Sequence, residues 1–117
     1  MISIPLKNDI IEKVKKEVIH RIYNEMKTDI AEIILYGSCA RGDYSEDSDI
    51  DIALITRCSR LEAKKYGDLL ADISTEMAMK YFAVVNFVCL PYDEFLQKKG
   101  WYPYFTNIDM EGVLLYE

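Results

Sequence analysis

Basic charge is in short supply in this chain. It has 14 lysines and arginines against 20 aspartates and glutamates, a net charge of −6 over 117 residues. General nucleic-acid binding depends on basic surface that displaces condensed counterions, so direct contact with DNA or RNA is not expected. A nucleotide is not excluded, because its phosphates can arrive already complexed to a metal. Cysteine is scarce as well. Cys39, Cys58 and Cys89 form an odd count without C-x-x-C spacing, which argues against a disulfide framework or a zinc site and for reduced thiols in a cytoplasmic protein. No apolar run approaches the roughly 20 residues that a membrane-spanning helix needs. Lys7, Asn8 and Asp9 interrupt any signal-peptide core at the N-terminus. Internal repeats, low-complexity tracts and obvious linkers are missing. The single histidine, His20, sits among charged residues, where nothing marks it as a base.

Apolar residues make up half of the chain and nine residues are tyrosine. A packed core is therefore expected, and the length suits one domain spanning residues 1–117. Ile11, Val14, Val18, Ile22 and Met26 recur at three- and four-residue spacing. That predicts a helix over about 8–26, with Asn8 or Asp9 as N-cap. Apolar runs predict strands over about 30–36, 50–56 and 81–90, and a short final strand at 113–116. A long helix is expected from Ser59 to Lys80, with Leu61, Leu69, Leu70, Ile73 and Met77 as core candidates. Gly67 weakens its middle. Pro91 ends the third strand and opens a helix through about Lys98. The segment Trp101 to Phe105 reads as a loop that opens a short helix, either packed under the sheet or forming a partner-binding patch. Helices alternating with strands give a small mixed β-sheet flanked by helices, of class α/β (α+β).

The chemistry concentrates where the first strand stops, at Gly37-Ser38, and the second starts, at Asp49-Ile50-Asp51. Side chains alternate across a strand, so Asp49 and Asp51 share a face. Two like charges held side by side repel unless a cation sits between them. Mg²⁺ prefers hard oxygen ligands and commonly shares them with nucleotide phosphates. Gly37 permits a sharp turn and close backbone approach to a ligand. N–H groups after such a turn, with the Ser38 hydroxyl, suit phosphate oxygens. Arg41 has two readings, a phosphate ligand or a partner of Asp43 or Glu46. Glu46 and Asp47 read as solvated loop charges, and Arg57, Lys64 and Lys65 as a solvated face beyond the second strand.

These residues carry a resemblance. Gly37-Ser38, ten residues, then Asp49-Ile50-Asp51 resembles the signature of minimal nucleotidyltransferases in the DNA polymerase β-like superfamily. The stretch Gly37-Ser38-Cys39-Ala40-Arg41-Gly42-Asp43 is similar to that family's wording, and so is the ending from Ile108 to Glu117. The resemblance implies a polymerase-β-like nucleotidyltransferase fold, with Asp49 and Asp51 holding one or two Mg²⁺ ions. Gly37, Ser38 and Arg41 would then lie at the triphosphate of ATP. Stand-alone chains of this size resemble the antitoxin of HEPN–MNT toxin–antitoxin pairs, which moves AMP from ATP onto a tyrosine of the HEPN ribonuclease. The implied partner is therefore a HEPN-type toxin. A second reading is a nucleotide-binding antitoxin that silences its partner by contact alone. A third is transfer to a small molecule of aminoglycoside kind, which would need a homodimer or second chain to build the pocket.

One position departs from the family pattern. Its third carboxylate lies on the strand after the long helix, and in Ala83-Val84-Val85-Asn86-Phe87-Val88 the matching residue is Asn86. An amide offers a carbonyl oxygen but no charge, and it cannot take the proton of an attacking hydroxyl. A weaker second metal site and slower transfer are expected.

Overall fold

The five apolar residues spaced along α1 (Asn8–Met26), namely Ile11, Val14, Val18, Ile22 and Met26, are all buried. The structure, a computed structural model, describes residues 6–117. The helix keeps the bounds that the spacing predicts, and only the cap differs. Lys7, not Asn8 or Asp9, holds the N-cap position, and no side chain caps it. Leu6 is buried and its N–H reaches the Glu46 carbonyl at 3.2 Å, which fixes the chain's entry ahead of Asn8. Asp9 falls in the first turn, where its charge complements the helix dipole.

A 3-10 turn (Lys27–Asp29) leads into β1 (Ile30–Tyr36), and β2 (Ile50–Thr56) follows after the one-turn α2 (Ser38–Arg41). The long helix foreseen over 59–80 is divided. Ser59 and Glu62 form a capping box at α3 (Arg60–Ala63), a 3-10 turn covers Lys64–Tyr66, and α4 runs over Gly67–Tyr81. Asp29 accounts for the break: it accepts from the Tyr66 hydroxyl and pairs with Lys65 at 3.3 Å. The tighter winding puts α3 out of phase with α4. Leu61 is therefore 75% exposed, while Ile73 and Met77 are fully buried and Leu69 and Leu70 are half-buried.

The third strand is shorter than expected. α4 keeps Tyr81, whose hydroxyl donates to Glu17 of α1, and Phe82 ends the helix in the left-handed region at φ 56°. β3 then spans Val85–Pro91, and α5 covers Tyr92–Lys98. The aromatic segment forms a full helix, α6 (Pro103–Glu111), with Pro103 in its first turn, where a fixed φ favours helix. Phe105 packs under the sheet, while Trp101, Tyr102 and Tyr104 stay exposed. β4 (Val113–Tyr116) closes the order β3-β2-β1-β4. β2 and β3 are parallel, joined by α3 and α4, and the other pairs are antiparallel.

The alternation of β1 and β2 divides the core in two. Ile33, Leu35, Ile50, Ile52 and Leu54 face α1 and α4, together with Ile73 and Met77. Ala31, Ile34, Ala53 and Ile55 face α5 and α6, against Phe95, Phe105 and Ile108. By the same alternation, Tyr36 and Asp51 belong to the α5/α6 face. No helix among the described residues is long and apolar enough to cross a membrane.

Candidate active site

Gly37 turns the chain out of β1 at φ 76°, ψ −158°, a conformation open to glycine and strained for other residues. The turn also lies against the acidic pair. A Cβ built on Gly37 would stand 2.7 Å from Oδ2 of Asp51. The amides of Ala40 and Arg41 both donate to the Gly37 carbonyl at 3.1 Å. Gly42, left-handed at φ 85°, ends α2. The glycines thus bracket a single helical turn that carries Ser38 past the start of β2.

Strand register sets the rest. Tyr36 on β1 pairs with Asp51 on β2, and Asp51 pairs with Asn86 on β3, so the three form one row across the sheet. Asp49 lies just before β2, two residues from Asp51 and on the same side. The Nδ2 of Asn86 donates to Oδ2 of Asp49 at 2.9 Å and to Oδ1 of Asp51 at 3.2 Å. One carboxylate oxygen from each aspartate therefore converges on a single point, and that point takes a donor of positive character. This donor set fits a hard divalent cation. Rotating the Asn86 amide would present Oδ1 in place of Nδ2. Among the described residues no group of three histidines, cysteines or carboxylates is arranged to hold an ion, in keeping with asparagine at this position.

The structure adds contacts that sequence reasoning did not foresee. The Cys39 thiol donates to the Asp49 carbonyl at 3.4 Å. Burial, then the charges of Asp51 and Asp49, push its pKa up, so it stays a thiol. Tyr36 was read only as part of a strand. Its hydroxyl lies 3.1 Å from that of Tyr104 on α6. Burial, the bond to Tyr104 and the Asp51 charge hold the phenol well above its ordinary range. Arg41 pairs with Asp43 at 3.2 Å and with Glu111 on α6 at 3.3 Å. The first contact was among those foreseen. The second joins residues 70 positions apart, beyond any local signal. A tyrosine directly before the strand-ending glycine was the one available hint to Tyr36.

Arg57 and Lys65 sit at the other end of the sheet. Arg57 donates to the carbonyls of Thr28 and Ile30, and Lys65 pairs with Asp29. A larger cavity of about 740 Å³, between Thr56, Arg60 and Tyr92, also opens at that far end. It is remote from the paired aspartates.

Residues 11–109 match the nucleotidyltransferase domain family. The chain belongs to that family. This nucleotidyltransferase is 34% identical over 105 residues to a candidate protein adenylyltransferase of Methanocaldococcus jannaschii, MJ0604, covering 90% of this chain and 97% of the relative. A second candidate protein adenylyltransferase of that organism, MJ0141, is 30% identical over 78 residues, covering 67% of this chain and 73% of the relative. Among solved structures, the toxin–antitoxin MntA–HepT matches at TM-score 0.52 and 14% identity, over 90% of this chain and 71% of that one. A candidate nucleotidyltransferase from Sulfolobus solfataricus matches at TM-score 0.51 and 21% identity, over 93% and 87%. The mixed sheet flanked by helices is thus a nucleotidyltransferase fold.

Proposed function

We propose that this nucleotidyltransferase moves AMP from ATP to a tyrosine hydroxyl on a HEPN-type ribonuclease toxin, and so acts as its antitoxin in the cytoplasm. The observation that carries this reading is the convergence of Asp49 and Asp51 on one point beside the Gly37 turn. The 34% identical relative, a candidate protein adenylyltransferase, supports a protein acceptor. The structural neighbour from a toxin–antitoxin pair supports a toxin partner.

Asp49 and Asp51 would hold Mg²⁺, with Oδ1 of a rotated Asn86 as a neutral ligand. The ion supplies positive charge against the triphosphate. Gly37 lets the chain pass close to the phosphates, Ser38 offers a hydroxyl, and Arg41 stands at the edge of the turn. The acceptor oxygen attacks the α-phosphorus, the bond to pyrophosphate breaks, and a phosphodiester to AMP forms. Orientation and fixed charge provide the rate. Asn86 cannot take the acceptor's proton, which leaves that proton to Asp49, Asp51 or solvent.

Asn86 also favours a second reading, neutralisation by contact with little transfer. Mixing the chain with the protein of the neighbouring reading frame, ATP and Mg²⁺, then weighing both, separates the two. Transfer adds one or more AMP units to the partner and vanishes in Asp49→Ala. Silencing that survives Asp49→Ala, with no mass change, establishes contact inhibition.

A further inference from the structure

We propose that the cleft between the end of β1 and α6 is the acceptor subsite, shaped for one phenolic side chain. The inference rests on the transfer reading above and names what that site receives. Tyr36, Gly37, Arg41, Tyr104 and Asn107 line a cleft of about 180 Å³. It shares Gly37 with the turn assigned to the phosphates. Its wall Tyr36 is the register partner of Asp51, one strand spacing away, roughly 4.8 Å. A group seated there lies next to the reacting centre.

At about 180 Å³ the cleft lies below the roughly 300 to 1,000 Å³ of pockets for drug-sized ligands and has room for one aromatic ring. The walls suit such a ring. Tyr36 and Tyr104 stand at 86° with centroids 6.3 Å apart, which offers a face and an edge, the arrangement aromatic rings prefer. Their hydroxyls already pair at 3.1 Å, and an incoming phenol oxygen can join that pair. A phenol hydroxyl both donates and accepts, so the Tyr36 hydroxyl, on the strand beside Asp51, can hold the acceptor oxygen on the Asp51 side. A serine is too short to fill the cleft, and a phenylalanine leaves the paired hydroxyls without a third partner.

The test is an NMR titration of the isotope-labelled protein, saturated with Mg²⁺ and α,β-methylene-ATP, with N-acetyltyrosinamide. Saturable shifts are expected at Gly37, Tyr104 and Asn107. N-acetylphenylalaninamide and N-acetylserinamide should bind about tenfold more weakly or worse, because a site built around a hydroxyl rejects analogues that lack the ring or the oxygen. Tyr104→Ala should weaken tyrosinamide binding by about tenfold and leave the affinity for the ATP analogue unchanged. Tyr104→Phe should lose less, since it keeps the ring. Shifts elsewhere, equal binding of the three amides, or displacement of tyrosinamide by the ATP analogue would overturn the assignment. The transfer reading fails separately, if the analogue itself does not bind. Titration with tyrosinamide alone then still decides the cleft.

Discussion

The α-hydrogen side of Gly37 faces the carboxylate of Asp51 so closely that a methyl group there would stand 2.7 Å from Oδ2. The same residue sits at φ 76°, where a Cβ is strained in any surroundings. Gly37→Ala therefore meets two obstacles, and the flexible one is the aspartate. The carboxylate must swing away, which separates it from Asp49 and from the Asn86 amide. We expect transfer to fall by about 100-fold or more, because misplacing a reacting group by an ångström costs that much. The strain should lower stability by about 1–3 kcal/mol. Rate assays beside thermal melts check both, and a fully active Gly37→Ala would refute the turn's role.

Asn86 carries a prediction of opposite sign for the free and metal-loaded protein. Its Nδ2 bridges Asp49 and Asp51 and offsets their repulsion when no cation is bound. In Asn86→Asp a donor becomes a third negative charge. The variant should melt below the parent in chelator and gain more from Mg²⁺ than the parent does, since a unit charge 4 Å from a cation is worth roughly 4 kcal/mol at an effective dielectric near 20. Transfer should rise about tenfold or more. Equal Mg²⁺-induced shifts in melting temperature for both proteins would show that the position does not face the ion.

Local signals carried much of the fold. The apolar stripe of α1, the ends of β1 and β2, and the one-sided placement of Asp49 and Asp51 follow from spacings of two, three and four residues. Three features did not. The 3-10 turn at Lys64–Tyr66 comes from the Asp29 contacts, made across more than 30 residues, so Leu61 looked like core and is solvent-facing. Phe82 stops α4 in a conformation that its residue type does not advertise. Tyr36 joins the site only because β1 pairs with β2 in a particular register and α6 lays Tyr104 over it. Strand alternation predicts which face a residue takes but not which strand lies beside it.

Glu17 on α1 gives a pH prediction. Hydrogen bonds from Lys80 and then Tyr81, both at the end of α4, hold its carboxyl below its ordinary 4.5. A lowered folded-state pKa means that the stabilisation is present above the unfolded value and is lost as pH falls through the folded one. Glu17→Gln should thus melt below the parent at pH 7, and the difference should close as pH drops below about 4.5. Glu17 is only half-buried and Lys80 is exposed, so the effect is modest. Melting curves from pH 7 to pH 3 measure it, and a gap that widens on acidification would contradict the assignment.

Gly112 joins α6 to β4 with ordinary angles, φ −69° and ψ 149°, so its need for glycine is steric alone. A Cβ there would collide with the Ile108 carbonyl and with Cγ2 of Ile34. The Ile108 carbonyl is fixed, because it accepts the Gly112 N–H at 3.0 Å. Ile34 is buried between the sheet and α6. Neither can retreat cheaply, so Gly112→Ala must shift backbone and should lose about 2 kcal/mol or more. Gly100 is the control. Nothing lies within 4 Å of its Cβ position, and its φ is not left-handed, so Gly100→Ala should be neutral or gain up to about 1 kcal/mol by restricting the unfolded chain. For a domain of this size, about 1 kcal/mol moves the melting temperature by roughly 4 °C, so the two alanines should separate by about 8 °C or more. Coincident melts would mean that α6 can slide on the sheet. In that case Tyr104 would not be held against Tyr36, and the cleft between them would have no fixed shape.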